Sequence, residues 1–129
     1  MARILIVDDE RDVATMLKFM LEKDGHRVSV AHDGGEALAA LGVEPADESK
    51  ELPELVIMDV MMPVLDGYAA CARMFDEPRT KAIPVLMLTA KGEMRDLHQR
   101  TPNVAAHLDK PFDPRHLREL VAGMFGPES

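Results

Sequence analysis

The sequence predicts an α/β protein: an open, mostly parallel sheet of five strands with five helices packed on its two faces. Three observations lead there. Strand-length apolar runs alternate with segments of helical period along the whole chain. Two of those runs, Ile4–Val7 and Leu55–Met58, are apolar at every position, the pattern of strands buried on both faces. Both runs lead directly into acids, Asp8-Asp9 and Asp59, at the strand end where open α/β sheets bind their ligands.

The elements follow in order. Arg3–Val7 is the first strand. Arg11–Asp24 is an amphipathic helix with Val13, Met16, Leu17, Met20 and Leu21 on one face, stopped by Gly25. Arg27–Ala31 alternates as a half-buried strand. Gly34–Leu41 is a short helix with Ala37, Leu38 and Leu41 inward. Gly42–Pro53 holds Gly, prolines and charges and is a long loop. Glu54–Met58 is the third strand and Gly67–Phe75 the third helix, opened by the turn Asp66-Gly67. Pro84–Leu88 is the fourth strand. Gly92–Arg100 is a short helix broken by Thr101-Pro102-Asn103, and Val104–Leu108 is the fifth strand. Asp113 caps the last helix and Pro114 fits its first position. Right-handed crossovers place the helices on both faces.

The bulk properties narrow the function. A chain of 129 residues that is 47% hydrophobic fits one folded domain, residues 1–129. A net charge of -8 argues against direct nucleic-acid binding, which needs basic surface. The single Cys71 excludes an internal disulfide and reads as a small core thiol. The ten methionines read as core filler. No run reaches the roughly 18–20 apolar residues that span a bilayer. A strand beginning at Arg3 leaves no room for a signal peptide, so a soluble cytoplasmic protein with no membrane partner is expected. The spacing of His26, His32, His98 and His116 suits no metal, and they read as surface residues.

The chemistry lies at the carboxyl ends of the strands. Asp8 and Asp9 follow the first strand, Asp59 the third, Thr89 the fourth and Lys110 the fifth. Acids gathered on one edge repel one another unless a cation joins them. Carboxylates favour a hard divalent ion such as Mg²⁺, which neutralises phosphoryl oxygens. A hydroxyl and an ammonium bind the remaining oxygens. One carboxylate can itself be the nucleophile and form an acyl phosphate.

Asp8-Asp9-Glu10, the segment Asp59-Val60-Met61-Met62-Pro63-Val64-Leu65-Asp66-Gly67, Thr89-Ala90 and Lys110-Pro111-Phe112 together resemble the receiver domain of two-component response regulators, of the chemotaxis-regulator type. The resemblance covers nearly the whole chain. It implies a flavodoxin-like three-layer sandwich with strand order 2-1-3-4-5. It implies Asp59 as the phosphoacceptor. It assigns Mg²⁺ (or Mn²⁺) to Asp9 directly, Asp8 directly or through water, Asp59, and the backbone carbonyl of Met61. Thr89 would bond a phosphoryl oxygen, and Lys110 would pair with Asp59 and then with its phosphoryl group. The Lys110-Pro111 bond would be cis. The donor would be the phosphohistidine of a sensor histidine kinase or phosphotransfer protein, or a small acyl phosphate. The output would be an unknown downstream protein or an effector domain outside this chain. The module would be a phosphoacceptor with slow self-dephosphorylation, not a turnover enzyme.

Three features depart from the family pattern. His107 stands where a switch aromatic is usual, three residues before Lys110; its charge can change near neutral pH. Asn103-Val104-Ala105-Ala106 replaces the usual approach to the fifth strand, and the Thr89-to-Lys110 interval is about one residue short. Other functions fit less well. A haloacid-dehalogenase-like phosphatase needs a second Asp two residues after its nucleophile, where Met61 stands. A flavodoxin-like cofactor carrier needs a phosphate loop where Asp8-Asp9-Glu10 would repel the phosphate. A degenerate, binding-only receiver would not keep Asp59, Thr89 and Lys110 together.

Overall fold

The computed structural model describes residues 2–62, 64–90 and 101–125 of the chain. Their order is β1 (Arg3–Val7), α1 (Arg11–Lys23), β2 (Arg27–Ala31), α2 (Gly34–Ala40), β3 (Leu55–Asp59), α3 (Gly67–Asp76), β4 (Val85–Ala90), β5 (Val104–Lys110) and α4 (Pro114–Met124). The helix expected over 92–100 lies outside the described residues, so four helices are seen among those described. All strand pairs are parallel, in the order β2-β1-β3-β4-β5. This is the expected flavodoxin-like sheet.

Strand residues alternate between two cores. Leu5, Val7, Val56, Met58, Val85 and Met87 face α2 and α3, packing with Leu38, Tyr68, Cys71 and Met74. Ile4, Ile6, Leu55, Ile57, Leu86 and Leu88 face α1 and α4, packing with Leu17, Leu21, Leu117 and Val121. A period of two with apolar residues on both faces is what an unbroken apolar run means. The three central strands are therefore clamped along their length, and the residues at their ends inherit that rigidity.

Short-range chemistry sets the helix starts. Asp33, Asp66 and Asp113 each accept a backbone N–H of the first turn, at 2.8 to 2.9 Å. Such caps contribute about 1 kcal/mol each. Glu10 begins α1 without a side-chain cap bond, which leaves its carboxylate for other work. The buried stripe of α1 is Ala14, Leu17 and Leu21, with Val13 and Met20 of the expected face packed partly buried beside it. Ala14 lets the helix approach the sheet, and Met16 is turned out to the rim, 41% exposed. The methionines divide accordingly: Met58, Met74 and Met87 are fully buried, whereas Met16 and Met61 are exposed.

The approach to β5 carries a register shift: Val85 pairs with Val104 but Leu86 pairs with Ala106, skipping Ala105. Beyond it the ladder runs on to Lys110, two residues further than the apolar pattern suggested, so that Thr89 pairs with Asp109 and Ala90 with Lys110. Asn103, buried at the start of this strand, donates to the Cys71 carbonyl at 3.0 Å and ties β5 to α3. The Cys71 thiol is buried, and burial pushes its pKa up to about 11, as fits an unreactive core residue. Among the described residues no helix is long and apolar enough to cross a membrane.

Gly67 shows how tightly the site edge is built. A Cβ there would lie 2.5 Å from the Asp59 carbonyl oxygen and 3.0 Å from the Val60 Cα. Its N–H donates to the Val60 carbonyl at 2.8 Å. Gly67→Ala should therefore lower stability by about 1–3 kcal/mol, measured by urea unfolding. An unchanged midpoint would show that the backbone around Asp59 yields.

Candidate functional site

β1 and β3 are neighbours in register, Val7 opposite Met58, so the next residues, Asp8 and Asp59, emerge side by side. This is the point where the strand order reverses, the usual ligand crevice of such sheets. Asp8 is fully buried and Asp59 is 6% exposed. Glu10 joins them from the start of α1. Oxygens of Asp8, Glu10 and Asp59 all lie within 4.8 Å of one another.

One ammonium holds the group together. Lys110 Nζ donates to Asp8 Oδ2 at 2.9 Å, to Glu10 Oε1 at 2.8 Å and to Asp59 Oδ2 at 3.4 Å. Lys110 comes from the far strand, β5, and the Lys110–Pro111 bond beside it is cis, as expected. The backbone adds smaller terms. The Glu10 N–H donates to Asp8 Oδ1 at 2.9 Å, and the Met61 N–H to Asp59 Oδ1 at 3.4 Å. The His32 ring contacts the Asp8 carbonyl oxygen through Nδ1 at 3.2 Å, so this histidine braces the site instead of standing free on the surface.

The electrostatics record the crowding. Burial, and then the charge of Asp8, push the Asp59 carboxyl up to about 6, against the pull of Lys110 and the Met61 N–H. Burial disfavours the Lys110 ammonium, but hydrogen bonds to Glu10 and Asp8 and the charges of Asp8 and Asp59 outweigh it. Its pKa is therefore raised above the ordinary lysine value. The donor set fits a hard divalent cation, since it offers several carboxylate oxygens and no nitrogen or sulfur ligand.

Of the residues expected at the site, the structure brings together Asp8, Asp59 and Lys110, with Met61 alongside. Asp9 is exposed, and it is Glu10 whose carboxylate completes the group. The contact of Glu10 with Lys110 was not foreseen; an acid two positions after Asp8, at a helix start, was the available signal. Thr89 is buried at the end of β4, but its hydroxyl donates to Asp109 Oδ1 at 2.7 Å. His107 shares a 2.9 Å hydrogen bond, through Nε2, with the Tyr68 hydroxyl on α3. Neither Asp109 nor Tyr68 was singled out from the sequence. Only the strand register reveals the first, and only the packing of α3 on β5 the second.

An open parallel sheet carrying a buried carboxylate pair, a bridging lysine and a hydroxyl on one edge is the arrangement that the receiver resemblance implied. The comparisons with known proteins agree. The family model for the response regulator receiver domain matches residues 4–122, and the chain belongs to that family. It is 40% identical over 125 residues to the DNA-binding dual master transcriptional regulator RpaA of Synechocystis, covering 95% of this chain and 47% of RpaA. The chain thus spans about half the length of the first curated relatives it matches. A Chloroflexus aurantiacus structure described as a response regulator superposes with a TM-score of 0.81 at 35% identity, covering 98% of both chains. The receiver domain of the Pseudomonas aeruginosa sensor histidine kinase PA1611, with a magnesium ion in its active-site cleft, matches with a TM-score of 0.78 at 27% identity over 93% of both chains. The family role is phosphorylation on an aspartate in two-component signalling. Receivers are signalling modules that work with histidine kinases and phosphotransfer proteins.

The raised Asp59 pKa has a sign that stability measurements can read. A carboxyl whose folded pKa lies above its ordinary 3.8 contributes stability below about pH 4, and that contribution is lost as pH rises through about 6. At pH 7, without divalent cations, the ionised Asp59 is therefore a cost. Asp59→Asn should stabilise the metal-free protein by about 1–2 kcal/mol at pH 7 and by about nothing at pH 4. A destabilised variant at pH 7 would contradict the crowding.

Proposed function

We propose that this chain is a single receiver unit in which Asp59 accepts the phosphoryl group. The observation that carries the reading is the bridge from Lys110 to both Asp8 and Asp59 at the edge between β1 and β3. Asp59 supplies the attacking carboxylate oxygen. As its bond to phosphorus forms, the bond from phosphorus to the donor breaks. The electron pair stays with the donor's imidazole nitrogen, or with the carboxylate of a small acyl phosphate. Lys110, already paired with Asp59, keeps its positive charge beside the added phosphoryl group. The Thr89 hydroxyl donates to a phosphoryl oxygen.

Mg²⁺ or Mn²⁺ would be held by Asp8, Asp59 and the Met61 backbone carbonyl, with Glu10 or Asp9 as the further acid. When bound, the ion supplies positive charge against the phosphoryl oxygens and relieves the repulsion among the carboxylates. Water would later hydrolyse the acyl phosphate slowly.

The donor's approach is supported by a cleft of about 480 Å³ beside Lys110, lined by Val13, Met16, Pro111 and Phe112, with Glu10 and Lys110 at its polar end. A phosphohistidine protein could seat an apolar helix there with its imidazole toward Asp59. His107, bonded to Tyr68, would be the readout residue on the β5 face. The downstream partner, or an effector region beyond this sequence, would read that face.

Incubation with acetyl phosphate and Mg²⁺, followed by intact-mass measurement, should give one phosphoryl adduct per chain. The adduct should be absent with EDTA and in Asp59→Asn. Full labelling of Asp59→Asn would overturn the assignment.

A further inference from the structure

β5 is the last strand in the sheet order, and its residues 107 and 109 point to the same face. Each meets a partner on a neighbouring element. His107 shares its hydrogen bond with Tyr68, and Asp109 accepts the proton of the buried Thr89 hydroxyl at 2.7 Å. Register makes the second contact obligatory in kind, because Thr89 and Asp109 are directly paired on neighbouring parallel strands.

A hydroxyl carries one proton and can donate it fully to one acceptor at a time. An ionised carboxylate is among the strongest acceptors available, and such charge-assisted bonds are roughly twice as strong as neutral ones. The acceptors that compete for this proton are the oxygens of a phosphoryl group on Asp59. Both cannot have it.

We propose that Asp109 is a positioning residue that acts through Thr89: it holds the Thr89 proton in the unphosphorylated state and so sets how readily the domain switches. This rests on reading Thr89 as the hydroxyl that engages the phosphoryl group. In this chain phosphorylation must break the Thr89–Asp109 bond, so part of the phosphoryl group's binding energy is spent on release. A receiver with an apolar residue at this position would lack this competition.

The test uses beryllium fluoride with Mg²⁺ as a non-covalent stand-in for the phosphoryl group, its affinity measured by calorimetry. The proteins are the wild type, Asp109→Ala, Asp109→Asn, Thr89→Ala and the double variants. Thr89→Ala should weaken binding. Asp109→Ala should tighten it about five- to tenfold, the size expected on removing a competing charge-assisted bond. Asp109→Asn, which keeps an acceptor without the charge, should fall between. In the Thr89→Ala background either Asp109 substitution should change affinity by less than about twofold.

Equal tightening with and without the Thr89 hydroxyl would mean that only loss of a nearby negative charge matters, and would overturn the latch. So would normal weakening in Thr89→Ala with no effect of Asp109→Ala. Wild-type binding by Thr89→Ala would instead overturn the reading of Thr89 itself. Should Asp109→Ala fail to fold, the Asp109→Asn arm of the cycle decides by the same comparison.

Discussion

Two buried carboxylates sit side by side, and the lysine that bridges them comes from the opposite side of the sheet. The rest of the site depends on that constraint. Asp8 and Asp59 cannot share the β1–β3 edge without a cation between them, because like charges a few ångströms apart in a buried setting repel strongly. Lys110 supplies that charge from β5, reaching across the end of β4. The bridge holds only if five strands stop at one level, which the two apolar cores and the parallel register secure. A pocket that gathers carboxylates around a lysine has the oxygen donors that a hard divalent ion favours.

The same constraint connects the site to its surroundings. Glu10 is available to Lys110 because α1 starts without using that side chain as a cap. Gly67 lies under Asp59 because no side chain fits there. Thr89 ends the strand between the acids and the lysine, and its proton is held by the strand that also carries the lysine. β5 thus bears three residues with contacts to neighbouring elements: Lys110 in the acid group, Asp109 on Thr89 and His107 on Tyr68.

Much of this was legible in the sequence, for physical reasons. An unbroken apolar run has one stable home, between two helical layers, so β1, β3 and β4 and the edge they end on followed directly. Asp8 and Asp59 were legible as acids at the ends of such runs, and Lys110 through the combined resemblance of the four motifs. What stayed hidden depends on rotation and register. On α1 only Met16 departed from the expected face, turned out to the rim while Ala14 lies buried against the sheet. Asp109 was not singled out, because nothing local indicates that Thr89 lies opposite it. That Glu10 contacts Lys110 was not foreseen, since three consecutive acids do not reveal which of them turns toward β5 as a helix begins. The expected helix over 92–100 falls outside the described residues.

The central claim is that the carboxylate group around Lys110 is a cation site as it stands. Calorimetric titration of Mg²⁺ into the unphosphorylated wild type and into Asp8→Asn tests it without any phosphodonor. The wild type should bind one ion per chain, and Asp8→Asn should bind it about tenfold more weakly or worse, having lost a fully buried carboxylate ligand. Equal affinity in the two proteins, or no binding by the wild type, would contradict it.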